Sequence, residues 1–360
     1  MKNKKYDFQD GYNSFKSDNV TKNEELLKFI DNFIETAGKE NAFAQFLIGI
    51  KYYRGIGEDI NYQKAFDWFQ KGADQGDKYA QLYFGIMYND VNGVTDQDFE
   101  KAEFWYKKAT AQDLDIATYR LGHLFREKAL MEGFTKDSHK YELEALKWYN
   151  KAAEQGNAEA QYELGHLYDI GDFGFILEPD YKNAFHYYEM AAHQGHVEAQ
   201  YNLGVLYYTG LGVESDLHKA KLWIEKAALQ EHNAAQFCIG YLYEKGYGVK
   251  RNYHTAKTWY LKSSKNNYYT ANFRLGLLYF KGLGVEKNIS IAKSWWEKQS
   301  NIECTYCLSC MYKYGIGIPK DLEKSTQLFD EISGYIYDED IIYINKKTIA
   351  EIDDMFSKVL

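Results

Sequence analysis

Residues Ala199 to Ala234 read AQYNLGVLYYTGLGVESDLHKAKLWIEKAALQEHNA. On a helix, Ala199, Leu203, Leu206 and Tyr207 share one apolar arc, the pattern of an amphipathic helix turned toward a core. Gly204 lies at the edge of that arc. A mid-helix glycine costs about 1 kcal/mol against alanine, so close approach of another backbone is expected there. Gly210-Leu-Gly-Val then breaks the helix, since paired glycines permit left-handed turns. Asp216 offers a side-chain oxygen to cap a second helix carrying Ala220, Trp223, Lys226 and Ala227.

Outward from this stretch the chain repeats itself. The small residue, the glycine five places on and the aromatic three places further recur as Ala44/Gly49/Tyr52, Ala80/Gly85/Tyr88, Ala117/Gly122/Phe125, Ala160/Gly165/Tyr168, Ala235/Gly240/Tyr243 and Ala271/Gly276/Tyr279, with a worn copy at Cys304/Ser309/Tyr312. Neighbouring copies lie 33 to 43 residues apart. The second helix is as regular, with an alanine three before an aromatic at Trp68, Trp105, Trp148, Tyr187, Trp223, Trp259 and Trp295. A small residue follows four places later, so bulky and small positions are expected to interlock along this stripe. Capping Asn or Asp recurs at Asn61, Asn252, Asn288 and Asp321, and turn residues close the second helix at Gly76, Gly156, Gly195 and Asn267. A period of this size marks stacked helical units that bury one another's faces, giving an extended binding surface.

Composition narrows the function. The 360 residues hold 43 Lys and Arg against 52 Asp and Glu, a net charge of −9 with no run of five basic residues, which argues against nucleic acid as partner. The basic start MKNKK is followed by no apolar run, as a secretory signal would need, and no window reaches the ~20 apolar residues of a membrane span. Four cysteines, three of them at Cys304, Cys307 and Cys310, make a poor disulfide framework, so a reduced cytoplasmic protein without membrane insertion is expected.

The unit A-x-x-x-L-G-x-x-Y-x-x-G-x-G-V, continuing to K-A, W-Y-x-K-A-A and a closing glycine, resembles the Sel-one-like repeat (SLR) proteins, relatives of the tetratricopeptide arrays. The resemblance covers about four fifths of the chain and is strongest from Ala160 to Thr270. It implies an all-α, right-handed α-α superhelix of about eight helix pairs. Residues 1–20 are read as disordered, 21–43 as an N-terminal capping helix built on EELLKFIDNFIET, 44–333 as the solenoid and 334–360 as a C-terminal capping segment. Departures from the pattern are an insertion from Arg126 to Glu144, a rewritten loop from Gly171 to Pro179, and Asn92-Gly93-Val94 in place of paired glycines. Insertions of this kind map to one rim of a solenoid, often the binding rim.

On the first helix of each unit, positions two, six and nine after the opening small residue lie opposite the intra-pair core and form three lines along the array. The first is aromatic or apolar, with Tyr119, Tyr162, Tyr201 and Phe273, and suits cement between units. The second includes His123, His166 and Tyr241. The third varies most, with Arg126, Asp169, Tyr208, Glu244 and Phe280, and is the expected source of specificity. These twelve residues are the candidate contacts for a protein or peptide partner, a tyrosine-rich composition typical of interfaces.

Chemistry finds less support. Cys304, Cys307 and Cys310 could hold a soft metal, but a fourth ligand is missing and their register is that of packed small residues. His193, His196 and His232 lack a carboxylate or thiolate to complete a set. The Gly-x-Gly loops follow helices and precede no Lys-Ser/Thr, so they are not phosphate cradles, and no Gly-x-Ser-x-Gly elbow occurs. No cofactor is expected. The regular cysteine pairs of family members linked to β-lactam binding are absent. By resemblance, the function is a scaffold or adaptor; alternatives are a bacterial immunity protein that covers a toxic effector, or a hydrolase or small-ligand binder using the concave cleft.

Overall fold

The computed structural model describes residues 20–90, 94–133, 135–171, 178–266, 268, 270–298, 301–336, 352 and 354–356. The expectations for residues 1–19, Asn92, Gly93, the loop 172–177, Asn267 and most of 334–360 fall outside these. Every regular element among the described residues is helical. Two compact units are formed, Met1–Glu178 and Pro179–Leu360.

The first unit holds α1 (Val20–Ala37), α2 (Ala42–Arg54), α3 (Tyr62–Asp74), α4 (Lys78–Asn89), α5 (Phe99–Thr110), α6 (Asp115–Glu132), α7 (Lys136–Glu154) and α8 (Ala158–Ile170). The second holds α9 (Tyr181–His193), α10 (Val197–Thr209), α11 (Leu217–Leu229), α12 (Asn233–Lys245), α13 (Tyr253–Lys265), α14 (Thr270–Lys281), α15 (Ile289–Glu297), α16 (Ile302–Tyr314) and α17 (Leu322–Ile336). Consecutive helices pack as pairs: α2 with α3, α4 with α5 and α6 with α7 in the first unit, and α10 with α11 through α16 with α17 in the second. The stretch from Arg126 to Glu144 is no loop. It lengthens α6 and α7 to 18 and 19 residues, where α4 has 12 and α8 has 13.

Helix ends follow from local chemistry. The oxygens of Asn61, Asp216, Asn252 and Asn288 accept backbone N–H groups of the second helices, satisfying donors that a helix start leaves orphaned. Gly246 and Gly248 both adopt left-handed conformations, at φ 77° and 64°. Gly248 also lies so close to the carbonyl of Leu217 that any side chain would collide with the start of α11. The paired glycines thus turn the chain and let one loop rest on the preceding second helix.

At the mid-helix glycines a side chain of the partner helix comes closest, with the expected backbone approach just behind it: a Cβ at Gly204 would lie 3.1 Å from the Ala220 carbonyl and the Ile224 nitrogen. A Cβ at Gly49, Gly85, Gly122, Gly204 or Gly240 would come 2.5 to 2.8 Å from Phe69, Tyr106, Tyr149, Ile224 or Tyr260 respectively. These partners each follow the aromatic of the tryptophan stripe by one residue, and that corrects the expected core. Phe69, Tyr149, Tyr188, Tyr260 and Trp296 are fully buried, whereas Trp68, Trp148, Trp259 and Trp295 are only half-buried; Trp105 and Trp223 of the stripe do lie in the core, as expected. Lys71, Lys108, Lys151, Lys226, Lys262 and Lys298, each three residues on, lie across the rings of Trp68, Trp105, Trp148, Trp223, Trp259 and Trp295, a cation–π arrangement.

A buried glutamine follows the opening alanine in five units: Gln45, Gln81, Gln161, Gln200 and Gln236. Gln200 Nε2 donates to the Ala192 carbonyl at 3.2 Å, and its Oε1 accepts from Gln230 Nε2 at 2.8 Å. One side chain thereby ties the ends of α9 and α11 to α10, satisfying groups that burial would otherwise leave unpaired. At the far end of the second unit, Ile352, Met355 and Phe356 are buried in a cluster with Phe273, Phe280, Trp296 and Met311.

Candidate protein-interaction surface

Along the first of the three lines, Phe46 reaches the following repeat, while Tyr119 and Tyr162 have ring contacts within their own. Phe46 is buried, with its ring 5.6 Å from Tyr79 and 5.5 Å from Tyr83 of the following unit. Tyr119 is half-buried, its ring 5.9 Å from Tyr149 and 6.3 Å from His123. Burial, with the charges of Glu163 and Glu159 behind it, pushes its phenol up to about 12. Tyr162 lies 6.1 Å from His166, both half-buried, as is Asp169 at the end of α8. Tyr201 stacks on His232 at 4.7 Å and brings its hydroxyl 3.9 Å from Cys238 Sγ.

The third line, expected to carry specificity, is largely engaged within the chain. Arg126 Nη1 donates to Glu163 Oε2 at 2.6 Å, joining α6 to α8. Glu244 accepts from the Tyr260 hydroxyl at 2.7 Å and from Arg274 Nη1 at 3.4 Å, joining α12 to α13 and α14. Phe273 and Phe280 are 3% and 2% exposed, and Phe280 lies 5.0 Å from the ring of Phe356. Their burial assigns them to packing in this conformation. In Tyr53–Tyr83, Arg126–Glu163 and Glu244–Arg274, a residue nine places along one first helix meets the one three places along the next.

What stays open is a tyrosine cluster on α10, α12 and the loop that follows α12. Tyr208 and Tyr247 are 37% and 38% exposed, next to Leu211 at 40%. The Tyr247 ring lies 6.2 Å from both Tyr208 and Tyr241. The Arg274 guanidinium and Lys245 ammonium flank Tyr241 at 5.1 and 5.5 Å. Tyr247 was missed among the candidates. Its signal is its place between the glycines of Gly246-Tyr-Gly, where other loops carry Leu or Ile.

The residues considered for metal serve packing and capping. Cys304, Cys307 and Cys310 are buried among apolar side chains, and burial pushes the Cys304 and Cys307 thiols up. His196 and His232 cap α10 and α12, their Nδ1 atoms accepting from the backbone N–H of Ala199 and Ala235 at 3.2 and 3.0 Å. His232 Nε2 also lies 2.8 Å from Glu198 Oε2. Among the described residues no group of three or more His, Cys, Asp or Glu is placed to hold a metal, and no helix is long and apolar enough to cross a membrane.

The family model described as Sel1 repeat matches residues 42–77, 79–114, 115–157, 158–196, 197–232, 233–268, 270–298 and 303–331. Among solved structures, c5321, a protective antigen present in uropathogenic Escherichia coli strains and displaying an SLR fold, is 28% identical with a TM-score of 0.73, covering 91% of this chain and 71% of its own. A Sel1 repeat protein from Oxalobacter formigenes is 23% identical with a TM-score of 0.57, covering 89% of this chain and 90% of its own. The immunity protein Pa5087 from Pseudomonas aeruginosa, at 22% identity and a TM-score of 0.39 over 65% of this chain and 81% of its own, is too loose a match to bear on function. No curated protein matches the sequence.

Proposed function

The chain belongs to the Sel1 repeat family, and from that premise we propose that it is a non-catalytic, cytoplasmic protein-interaction scaffold whose partner docks on the tyrosine cluster of α10, α12 and the loop that follows α12. Sel1 repeat proteins are generally protein-interaction scaffolds. The supporting observation is the partial exposure of Tyr208 and Tyr247 beside Leu211, where the packing between units leaves three rings within reach of solvent. Tyrosine supplies large, stiff contact area with a polar tip, which is why it concentrates in interface hot spots. Arg126 and Glu244 drop out of the contact set, since each is held by the neighbouring helix.

The test is affinity purification with quantitative mass spectrometry, comparing the wild type with Tyr208→Ser/Tyr247→Ser. A specific partner retained by the first and lost by the second supports the reading. Equal recovery of every captured protein by both would remove the cluster from the interface. Inhibition of a toxic enzyme is one form the same result could take: the captured protein would be a toxin, and co-expression would restore growth.

A further inference from the structure

Residues 245–298 contain eleven Lys and Arg against two acidic residues, Glu286 and Glu297, while the rest of the chain holds 32 basic and 50 acidic residues. The overall acidity therefore conceals one strongly cationic segment. Part of it is neutralised locally: Lys245 and Arg274 pair with Glu244, and Lys293 with Glu297. On the outer side of the second helices the case differs. Among the described residues Lys226, Lys262, Lys265 and Lys298 have no carboxylate partner.

Three of these lysines occupy equivalent positions on α11, on α13 and just after α15. Their ammonium groups stand over Trp223, Trp259 and Trp295 at 3.7, 4.3 and 3.3 Å. The same helices carry exposed aliphatic side chains, Leu229 on α11 at 67% and Leu261 on α13 at 39% exposure. Unpaired lysines and solvent-facing leucines on successive helices call for a partner that offers dense negative charge together with somewhere apolar to enter.

We propose that the outer face of α11, α13 and α15 rests on an anionic phospholipid surface. A bilayer interface meets both demands: headgroup charge attracts each lysine, and aliphatic side chains enter the boundary between headgroups and acyl chains. Long lysine stems allow the ammonium to stay in the headgroup layer while the leucines go deeper. A nucleic acid meets only the first demand. Its bases need free aromatic faces for stacking, and here the indoles are covered by lysine. The inference is separate from the tyrosine cluster, because it concerns the other helix of each pair and a different ligand.

Flotation of the full chain with phosphatidylcholine vesicles, with and without phosphatidylglycerol, tests it. The protein is expected to float with the anionic vesicles alone and to be released by high salt. Lys226→Glu/Lys262→Glu/Lys265→Glu/Lys298→Glu should reduce partition at least ~tenfold, since each basic residue near such a surface contributes on the order of a few-fold. Leu229→Ser/Leu261→Ser should reduce it several-fold at unchanged charge, and far-ultraviolet dichroism confirms that both variants remain helical. Failure to float with anionic vesicles overturns the proposal. So does binding to a single-stranded oligonucleotide or to polyglutamate that matches vesicle binding and ignores the leucine substitutions, which would reveal a surface for polyanions in general.

Discussion

Gly240 of α12 lies directly against the ring of Tyr260 of α13: a Cβ on the glycine would sit 2.8 Å from two ring carbons. The ring is fully buried and its hydroxyl donates to Glu244. The glycine is therefore a recess for a fixed aromatic. Gly240→Ala gains about 1 kcal/mol of helix propensity but forces a buried tyrosine off its position, an overpacking cost of roughly 1–3 kcal/mol. Both the ring carbons and the Ala256 carbonyl at 3.3 Å oppose the methyl, so a net loss of about 1 kcal/mol is expected in urea denaturation. Equal or greater stability in the variant would show that the ring can move.

Gln200 makes a second contact of this kind. Replacement by leucine keeps the volume but removes both bonds that tie α9 and α11 to α10, while the Ala192 carbonyl keeps the Gly195 N–H and the exposed Gln230 amide turns to water. An ordinary hydrogen bond of this kind contributes about 0.5–1.5 kcal/mol net. Gln200→Leu should lower the thermal midpoint, whereas leucine at the exposed His218 should leave it nearly unchanged.

These two residues show what could and could not be read beforehand. The glycine spacing, the alanine stripes and the capping Asn and Asp placed the helices and turns, because each reflects a local backbone demand. Nothing in the sequence marks Gln200 as buried, since a polar residue in a helix is ordinarily solvated; its burial depends on the Ala192 carbonyl and Gln230 amide supplied by other helices. Trp259 and Tyr260 lie 100° apart on one helix, and periodicity alone does not choose which turns inward. The choice falls to Tyr260 because Gly240 faces it. Likewise Arg126 and Glu244 stand in a column that varies, and the sequence does not show that each meets a charge of opposite sign, Glu163 or Arg274, in the next repeat.

That pairing gives a third prediction. Arg126→Glu places two carboxylates together between α6 and α8 and should cost about 1 kcal/mol, the pair being partly open to solvent on the arginine side. Arg126→Glu/Glu163→Arg should recover most of the loss. Chemical denaturation of the two single variants and the double variant measures the coupling, and additive losses would show that the contact contributes nothing.

Glu103 predicts a pH dependence. Burial raises its carboxyl, but hydrogen bonds and charge from Lys107 and Lys128 outweigh that and hold it below its usual value. A group depressed in the folded state stabilises fully above its unfolded pKa of about 4.3 and loses that contribution as the pH falls through the folded value. Glu103→Gln should therefore lower stability at neutral pH and narrow the gap to wild type in acid. Thermal midpoints measured from neutral pH downward check the sign, and a gap that widens in acid would contradict it.

The last prediction concerns Phe356. Its ring is fully buried, 5.0 Å from Phe280 and 6.4 Å from both Trp296 and Tyr314. Removing a buried phenylalanine costs roughly 3–5 kcal/mol when the site does not collapse. Phe356→Ala should expose Phe280 and the Trp296 indole, speeding amide exchange in α14 and α16 and shifting part of the tryptophan emission to the red. Exchange in α2 to α5, which belong to the other compact unit, should stay unchanged, because stability in a repeat array passes chiefly between neighbours. Unaltered exchange in α14 and α16 would mean that Phe356 covers this end of the array without stabilising it.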